Sequence, residues 1–484
     1  MNIFRFLVYR KGQKVIFEFS VKVGVNQRYM EKNVWIITLI YVAFAMMSLS
    51  ACRNSVEADN DESTTCLLSS GNSKAKSSSS VKSSSKKSYP DSFKPNDKEY
   101  PYANIPRIVI YTENKQKIKD RETEIPAKLQ IWGKKEAESE ILDLTIRGRG
   151  NTSWEEMPKK SYKIEFEKKQ SMLDMPKDKD WALIANYADK TLMRNYIAYR
   201  LSAALGVYYA PRCEFAELYL NDEYLGVYLL TETIKIAKNR VNIPENDFSY
   251  IVEADRKYKG NEQVVFSDIL VPSENKKAFR VHAPKNASRA TLDTVQRHIQ
   301  TFETFLKNVK ENEDNHVDDW IDVDESIKYY WVEEIPKNPD AGIKEGFFTS
   351  VYFTWVNGKK IKMGPVWDFD LAFGNYSWQP VNEISGWHNR VYWYEYLFKD
   401  SLYRKKSYDF WKEQCSVIDE ILNEIDLYKD KLKISAKNNF NRWDVLNSDE
   451  HFWHVKAYNS YDDAVDDLKS WIENRKEWIN QNVY

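Results

Sequence analysis

The sequence predicts an α+β fold with a strand-rich first half and a more helical second half. Two patterns support this prediction. Between residues 105 and 253, short apolar or alternating runs recur, which is typical of strands. Beyond residue 290, apolar side chains recur at helical spacing instead, which is typical of helices that pack on a core. The 484 residues, 42% of them hydrophobic, suffice for a large core and for about two to four domains.

The strands of the first half are predicted from apolar runs along the chain. They lie at residues 105–112, 127–132, 143–147, 161–166 and 250–253. In the fourth run, apolar and charged residues alternate from Tyr162 to Phe166, as in a half-buried strand, and Lys163 leaves the core face. Residues 215–220 and 224–230 flank a polar turn and predict a β-hairpin. A helix is predicted over residues 191–205.

The helices of the second half are predicted from apolar stripes. One helical face is shared by Val295, Ile299, Phe302 and Leu306. Residues 324–334 and 464–479 show the same spacing. Residues 351–355 and 360–363 predict a hairpin, because Asn357-Gly358 is a strong signal for a two-residue turn.

The N-terminal part of the sequence predicts a signal peptide over residues 1–51. Residues 34–51 are apolar, follow basic residues and precede Cys52 in the context Leu-Ser-Ala-Cys. This pattern is typical of a bacterial lipoprotein, in which Cys52 carries the lipid; an uncleaved anchor and an ordinary secretory signal are the alternatives. Met30 is a more natural start than Met1, because signal peptides lack a long upstream extension. We expect a lipoprotein of the bacterial cell envelope, exposed outside the cytoplasm.

Residues 52–97 predict a lipid-anchored linker that is rich in serine and lysine. Such a stretch buries too little apolar surface to offset the entropy lost on ordering, so we expect a flexible spacer before a folded body at 98–484. Within that body, Cys213 and Cys415 either form a disulfide or remain free thiols. The net charge of −1 gives no electrostatic basis for binding nucleic acid.

The motif most indicative of chemistry is GPVWDFDLAFGN at residues 364–375. Its Asp368 and Asp370 follow a predicted strand, and such a pair can hold a cation such as Mg²⁺, which takes oxygen ligands. Alone, the pair is more typical of solvated or capping carboxylates near a turn. Upstream, RGRGNTSWEEMPKKSYKIEF at 147–166 combines a glycine-containing turn, lysines and a strand. A phosphate-binding turn, a lysine and paired carboxylates are parts of a phosphoryl-transfer site.

Together these motifs resemble the spore-coat protein H (CotH) kinase family, an atypical branch of the protein-kinase-like fold. The resemblance covers most of residues 100–484. It rests on IRGRGNTSW, PKKSYKIEF, WALIANYADKTLMRN, LYLNDEYLGVYLLTE and GPVWDFDLAFGN, in the family's order. It implies a two-lobed fold that binds ATP and Mg²⁺ (or Mn²⁺) between its lobes.

The resemblance implies a nucleotide-binding role for several residues of the first half. Gly148, Gly150 and Asn151 would form the turn that approaches the phosphates. Lys160, in the PKK motif, is the first choice for the phosphate-binding lysine, and Lys163 is the second. The alternative for either lysine is a solvated surface position.

Further residues are assigned by the same resemblance. Glu232 would pair with the lysine or join the metal site, and Arg194 would clamp a phosphate or brace the two lobes. Asp340 resembles the catalytic aspartate that accepts the proton of the substrate hydroxyl. Asp368 and Asp370 would hold the cation.

One position departs from the family pattern. Many relatives have an asparagine where the strand after the catalytic aspartate begins, whereas this chain has Thr349 or Ser350 there. A hydroxyl is a poorer cation ligand than an amide carbonyl, so the departure bears on metal occupancy and activity.

These observations favour a surface-anchored atypical Ser/Thr protein kinase that acts on a surface or secreted protein. The alternative is a non-catalytic surface module on the same fold, which binds a partner protein or a polysaccharide. Nucleotide binding without transfer lies between the two.

Overall fold

The computed structural model describes residues 2–10, 13–21, 88–258, 260, 263–342, 346–377, 380–449 and 455–483. The chain divides into two compact units, Met1–Ser83 and Ser84–Tyr484. In the first unit, β1 (Asn2–Arg10) pairs antiparallel with β2 (Gln13–Val21). Most of the predicted signal peptide, Cys52 and the linker as far as residue 87 lie outside the described residues. Among the helices that are described, none is long and apolar enough to cross a membrane.

The strand-rich half of the second unit is a closed seven-stranded barrel. Its strands are β3 (Arg107–Thr112), β4 (Ile125–Trp132), β5 (Leu142–Arg149), β6 (Ser161–Met172), β7 (Met175–Ile184), β8 (Cys213–Leu220) and β9 (Glu223–Glu232). Their order is β3-β4-β5-β6-β7-β9-β8, and β3 closes the ring by pairing parallel with β8. Apolar side chains from every strand fill the interior.

The closed barrel corrects one expectation. A kinase-like first lobe is wrong for this half, because the pairing of β3 with β8 closes the sheet on itself. The coarser prediction, an α+β fold with a strand-rich first half, is confirmed. The sequence also missed β7, whose first half, MPKDKD, is too polar to look like a strand.

A second sheet of five strands follows the barrel. It comprises β10 (Ser249–Ala254), β11 (Val264–Ser267), β12 (Lys277–Ala283), β13 (Val351–Val356) and β14 (Lys362–Met363), in the order β11-β12-β10-β13-β14. All neighbouring strands pair antiparallel. The hairpin predicted around Asn357-Gly358 is therefore present as β13 and β14, although the second strand is short.

Helices pack around both sheets. They are α1 (Thr152–Glu155), α2 (Arg194–Ala204), α3 (Arg289–Lys307), α4 (Val323–Glu334), α5 (Trp393–Leu397), α6 (Ser401–Gln414), α7 (Val417–Arg442) and α8 (Tyr461–Asn482). Side-chain caps begin several of them; the Ser288 hydroxyl, for example, accepts from the Thr291 amide at 3.1 Å and satisfies a free donor of α3. The predicted stripe of α3 is buried, as expected.

The folded body begins before the predicted boundary at residue 98. Phe93 is only 2% exposed and packs edge-on against Tyr111, with 4.9 Å between the ring centroids. Asp97 forms an ion pair with the buried Arg107. Of the two alternatives left open for Cys213 and Cys415, the structure shows free thiols.

Candidate functional site

A cavity of about 600 Å³ opens where the barrel meets the second sheet. Its walls come from the end of β5 and the turn after it, from the loop that follows β7, from β10, β12 and β13, and from the loop after β14. A volume of this size is typical of small-molecule sites. Its wall combines charged and polar side chains with apolar ones such as Met157, Ile184 and Leu371.

Two of the acidic side chains in this cavity come from the loop after β14. Asp368 and Asp370 flank Phe369, which is fully buried. The Phe369 amide donates to Asn195 Oδ1 on α2 at 2.7 Å. Because the intervening phenyl ring is anchored in the core, both carboxyls are held on the cavity wall.

Asp340 enters the same cavity from the loop that follows α4. The side chain of Asn338 fixes that loop. Its Oδ1 accepts from the Asp340 amide at 3.2 Å, and its Nδ2 donates to the Asp368 carbonyl at 3.3 Å and to Glu333 Oε2 at 2.8 Å. One amide side chain thus sets the spacing between the two acidic loops.

The negative charge of the Asp368 carboxyl disfavours the ionised forms of Asp340 and Asp370. Burial raises the pKa of Asp340 and of Asp370 well above the usual range, and the nearby Asp368 raises both further. Burial also raises the pKa of Asp368, although Arg149 opposes the shift. Like charges at low dielectric strongly favour neutralisation, by a proton or by a bound cation.

The donor set fits a divalent cation that is shared with phosphate oxygens. Among the described residues, no three His, Cys, Asp or Glu side chains are grouped closely enough to hold a metal by themselves. Mg²⁺ usually takes one or two protein carboxylates together with waters and phosphates. Asp368 and Asp370 would supply the carboxylates, and burial raises the pKa of both.

The glycine turn after β5 forms the facing wall. Gly150 has φ +105°, a conformation that glycine adopts without strain, and a Cβ there would meet Ser153 Oγ at 2.1 Å. The Arg121 guanidinium donates to the Gly150 carbonyl at 2.5 Å and to Asn151 Oδ1 at 2.8 Å. The turn is therefore held rigidly against the cavity.

A family model described as CotH kinase protein matches residues 146–479, which is more than half of the chain. This protein is a member of the CotH kinase family. The matched range includes the Gly150 turn and all three aspartates. No curated protein matches the chain.

The structure brings together five of the residues assigned from the CotH resemblance. The residues that line the cavity are Gly150, Asn151, Asp340, Asp368 and Asp370. Gly148 lies behind the wall, where a Cβ would meet the Trp154 ring at 2.5 Å. Its role is to let that ring pack closely.

Neither predicted lysine lines the cavity. The Lys160 ammonium donates to the Trp154 carbonyl. Lys163 leaves the core face as expected, but it forms ion pairs with Glu165 at 2.7 Å and Asp180 at 2.8 Å on the outside of the barrel. The placement of both lysines points away from phosphate binding.

The lysine of this CotH motif that lines the cavity is Lys159. It is buried, and its ammonium donates to the Ala185 carbonyl at 2.8 Å, to Asn439 Oδ1 at 2.9 Å and to the Val227 carbonyl. Burial lowers its pKa well below the usual range. With all three protons committed, Lys159 braces the structure.

Arg194 and Glu232 also lie outside the cavity wall, fully buried. Arg194 pairs with Asp189 at 2.6 Å and donates from Nε to the Ala372 carbonyl at 3.1 Å. It therefore braces the loop after β14. Glu232 accepts from Arg212 at 2.8 Å and from Arg240.

At the position that departs from the CotH pattern, Ser350 directly precedes β13 and lines the cavity. The Ser350 amide donates to Glu253 Oε1 at 3.2 Å, and its side chain lowers the pKa of Asp368, which burial raises. Burial alone would raise the pKa of Glu253, but hydrogen bonds from His282 and Arg280, both at 2.6 Å, lower it to about 2. Ser350 therefore acts on Asp368, one of the two carboxyls that the resemblance assigns to the cation.

Sequence reasoning missed Arg149, Glu253 and Lys257 on the cavity wall. It also missed Asn338, which spaces the two acidic loops behind that wall. Arg149 stood inside the quoted RGRGN motif and drew no separate attention. Glu253 ends a predicted strand as a lone acid in an apolar run, and a buried charge of that kind is a usable signal. Lys257 and Asn338 carried no such signal.

Proposed function

We propose that this CotH family member transfers the γ-phosphoryl group of ATP to Ser or Thr hydroxyls of a protein, using Mg²⁺ or Mn²⁺. The observation that carries the proposal is the convergence of Asp340, Asp368 and Asp370 with the Gly150 turn in one cavity. Family membership supports kinase-like chemistry. The turn and the carboxylates face the same space, as positioning and charge stabilisation of a phosphoryl group require.

Each acid has a distinct part in this proposal. Asp368 and Asp370 hold the cation, which supplies positive charge to the phosphate oxygens. Asp340 accepts the proton of the substrate hydroxyl. The hydroxyl oxygen bonds to the γ-phosphorus as the bond between that phosphorus and the leaving ADP breaks. Asp340 would ionise more readily beside a cation, because a nearby positive charge lowers the pKa of a carboxyl.

The second candidate is nucleotide binding without transfer, on a surface-anchored binding module. Ser350 favours it, because a hydroxyl is a weaker cation ligand than the asparagine that many relatives have at this position. A protein of this kind would bind ATP with a cation and leave candidate substrates unmodified.

The cellular setting is also a proposal. We infer from the apolar run before Cys52 that lipid on this residue holds the protein at the cell envelope, where it meets surface or secreted substrates. The N-terminal mass of protein extracted from membranes tests this: a soluble form that retains residues upstream of Cys52 would exclude it.

The test of the proposed function compares two aspartate variants in two assays. Asp368→Ala should abolish the rise in melting temperature that ATP and Mg²⁺ give the wild type, because a cation ligand is lost. Asp340→Asn should retain that rise and lower phosphate transfer by roughly 10²–10⁴-fold, the usual contribution of a positioned proton acceptor. Asp430→Ala, an exposed position on α7, is the matched control for both.

Radiolabel transfer to the protein itself and to envelope proteins is the second readout. The kinase proposal fails if the wild type does not bind ATP in the presence of Mg²⁺ or of Mn²⁺. It also fails if Asp368→Ala binds ATP as well as the wild type does. ATP binding with no transfer by the wild type would establish the second candidate.

A further inference from the structure

Arg149 is a cation without a hydrogen-bond partner on the cavity wall. It is the last residue of β5 and directly precedes the Gly150 turn. No described acceptor lies within hydrogen-bond distance of its guanidinium, which stacks over the Trp367 ring at 4.6 Å from the centroid. The stacking presents the guanidinium to the cavity as a planar, preoriented fork.

Lys257 approaches the same space from the opposite side. It follows β10 of the second sheet, and its ammonium donates to Thr152 Oγ1, just after the Gly150 turn, at 2.7 Å. It also acts electrostatically on Asp340, Asp368 and Asp370. Lys257 thus spans from the second sheet to the barrel across the cavity.

The other basic groups of the wall are already engaged. Arg147 donates to the Arg121 carbonyl and pairs with Glu124 at 3.7 Å. Lys159 commits its three protons to buried acceptors. Arg280 binds Glu253 at 2.6 Å, and Arg121 holds the Gly150 turn. All the N–H groups of the Arg149 guanidinium therefore remain available to a ligand. The Lys257 ammonium donates one hydrogen bond, to the exposed Thr152 hydroxyl.

We propose that Arg149 and Lys257 are the phosphate-binding cations of this site, in place of the lysines that the sequence favoured. The inference rests on the proposed nucleotide binding and adds its anion subsite. Arg149 would bind phosphate oxygens through its fork, and Lys257 would act as a mobile point charge next to the cation and the three aspartates. The ligand class is a nucleoside di- or triphosphate.

The experiment is calorimetric titration of full-length protein with ATP, ADP, AMP and adenosine, each with Mg²⁺. Arg149→Gln should weaken ATP binding at least about tenfold, because a hydrogen-bonded charge pair is lost, and should change adenosine binding less than about twofold. Lys257→Gln should act in the same direction. Arg149→Lys keeps the charge without the fork, so its ATP affinity should be intermediate.

Lys160→Gln and Lys163→Gln are the matched controls and should bind all four ligands as the wild type does. The inference is overturned if Arg149→Gln binds ATP like the wild type, or if its affinity for adenosine falls as much as that for ATP, which would assign Arg149 to packing on Trp367. A wild type that binds none of the ligands overturns the proposed function itself. Melting curves of each variant report on folding.

Discussion

At the scale of single residues, Glu333 is an unusual carboxyl. It lies in the last turn of α4, before the Asp340 loop, and is buried, and burial raises its pKa to about 8 despite a hydrogen bond from Asn338. Its Oε1 has no hydrogen-bond partner among the described residues. Near neutral pH the group is therefore largely protonated and anchors Asn338, the residue that spaces the two acidic loops.

We predict that Glu333→Gln makes the protein more stable than the wild type at pH 8 and above. The folded pKa exceeds the usual carboxyl value, so the folded state binds more protons than the unfolded state between about pH 4.5 and 8. Wild-type stability falls through that window, by at most about 1.4 kcal/mol per pH unit from this group. A glutamine at this position does not titrate, so this decrease of stability with pH is absent from the variant.

The measurement is the free energy of unfolding in urea at pH 5.5 and pH 8 for both proteins. The advantage of the variant should grow with pH. A difference that stays constant between the two pH values would contradict the assignment. Glu473→Gln, at an exposed position on α8, should track the wild type.

At the scale of elements, the segment from residue 88 to 97 belongs to the folded body although its composition predicts a linker. Phe93 joins a small cluster on the outside of the barrel with Val109, Tyr111, Tyr219 and Tyr224. One aromatic residue in a polar stretch is a weak signal in a sequence. Its burial depends on the groove that β3 and the β8–β9 hairpin form together.

We predict that Phe93→Ala lowers the free energy of unfolding by roughly 3 kcal/mol, because truncating a buried phenylalanine removes apolar contacts and leaves a cavity. Lys94→Ala, at the exposed neighbouring position, should change it by less than about 0.5 kcal/mol. Urea unfolding of both variants is the measurement. Equal midpoints for the two would show that the segment does not contribute to the core.

At the scale of the whole molecule, Lys159 joins three distant parts of the chain. Its ammonium binds carbonyls of the loop after β7 and of β9, and Asn439 Oδ1 on α7. Asn439 Oδ1 also accepts from the Val227 amide at 3.1 Å. The long helix is thus fastened to the barrel beside the cavity.

We predict that Lys159→Met lowers the melting temperature by several degrees. Methionine fills a similar volume but removes the hydrogen bonds to the Ala185 and Val227 carbonyls and to Asn439 Oδ1, of which only the last keeps another donor described above. A buried polar group left unsatisfied costs about 1–3 kcal/mol. Lys160→Met, a half-buried neighbour with one hydrogen bond to the Trp154 carbonyl, is the control and should cost much less. Thermal unfolding of the two variants decides; equal melting temperatures would contradict the bracing role.

The sequence by itself determined the local features of this protein. Alternation predicted β6 and the outward position of Lys163, and the Asn357-Gly358 signal predicted the β13–β14 hairpin, because periodicity and turn chemistry act over a few residues. The D-x-D pair and the Gly150 turn were also recognisable, since each is a short motif with its own chemistry. Family resemblance added Asp340 to that set.

Tertiary structure alone decided which of these features meet. Closure of the barrel depends on the pairing of β3 with β8, residues 107–110 with 217–220, and no local pattern encodes a contact over that separation. Lys159, Lys160 and Lys163 have the same chemistry, yet packing buries one as a brace and turns two away from the cavity. Arg149 and Lys257 face the acids because two sheets meet there, and a site made between elements is fixed by their packing.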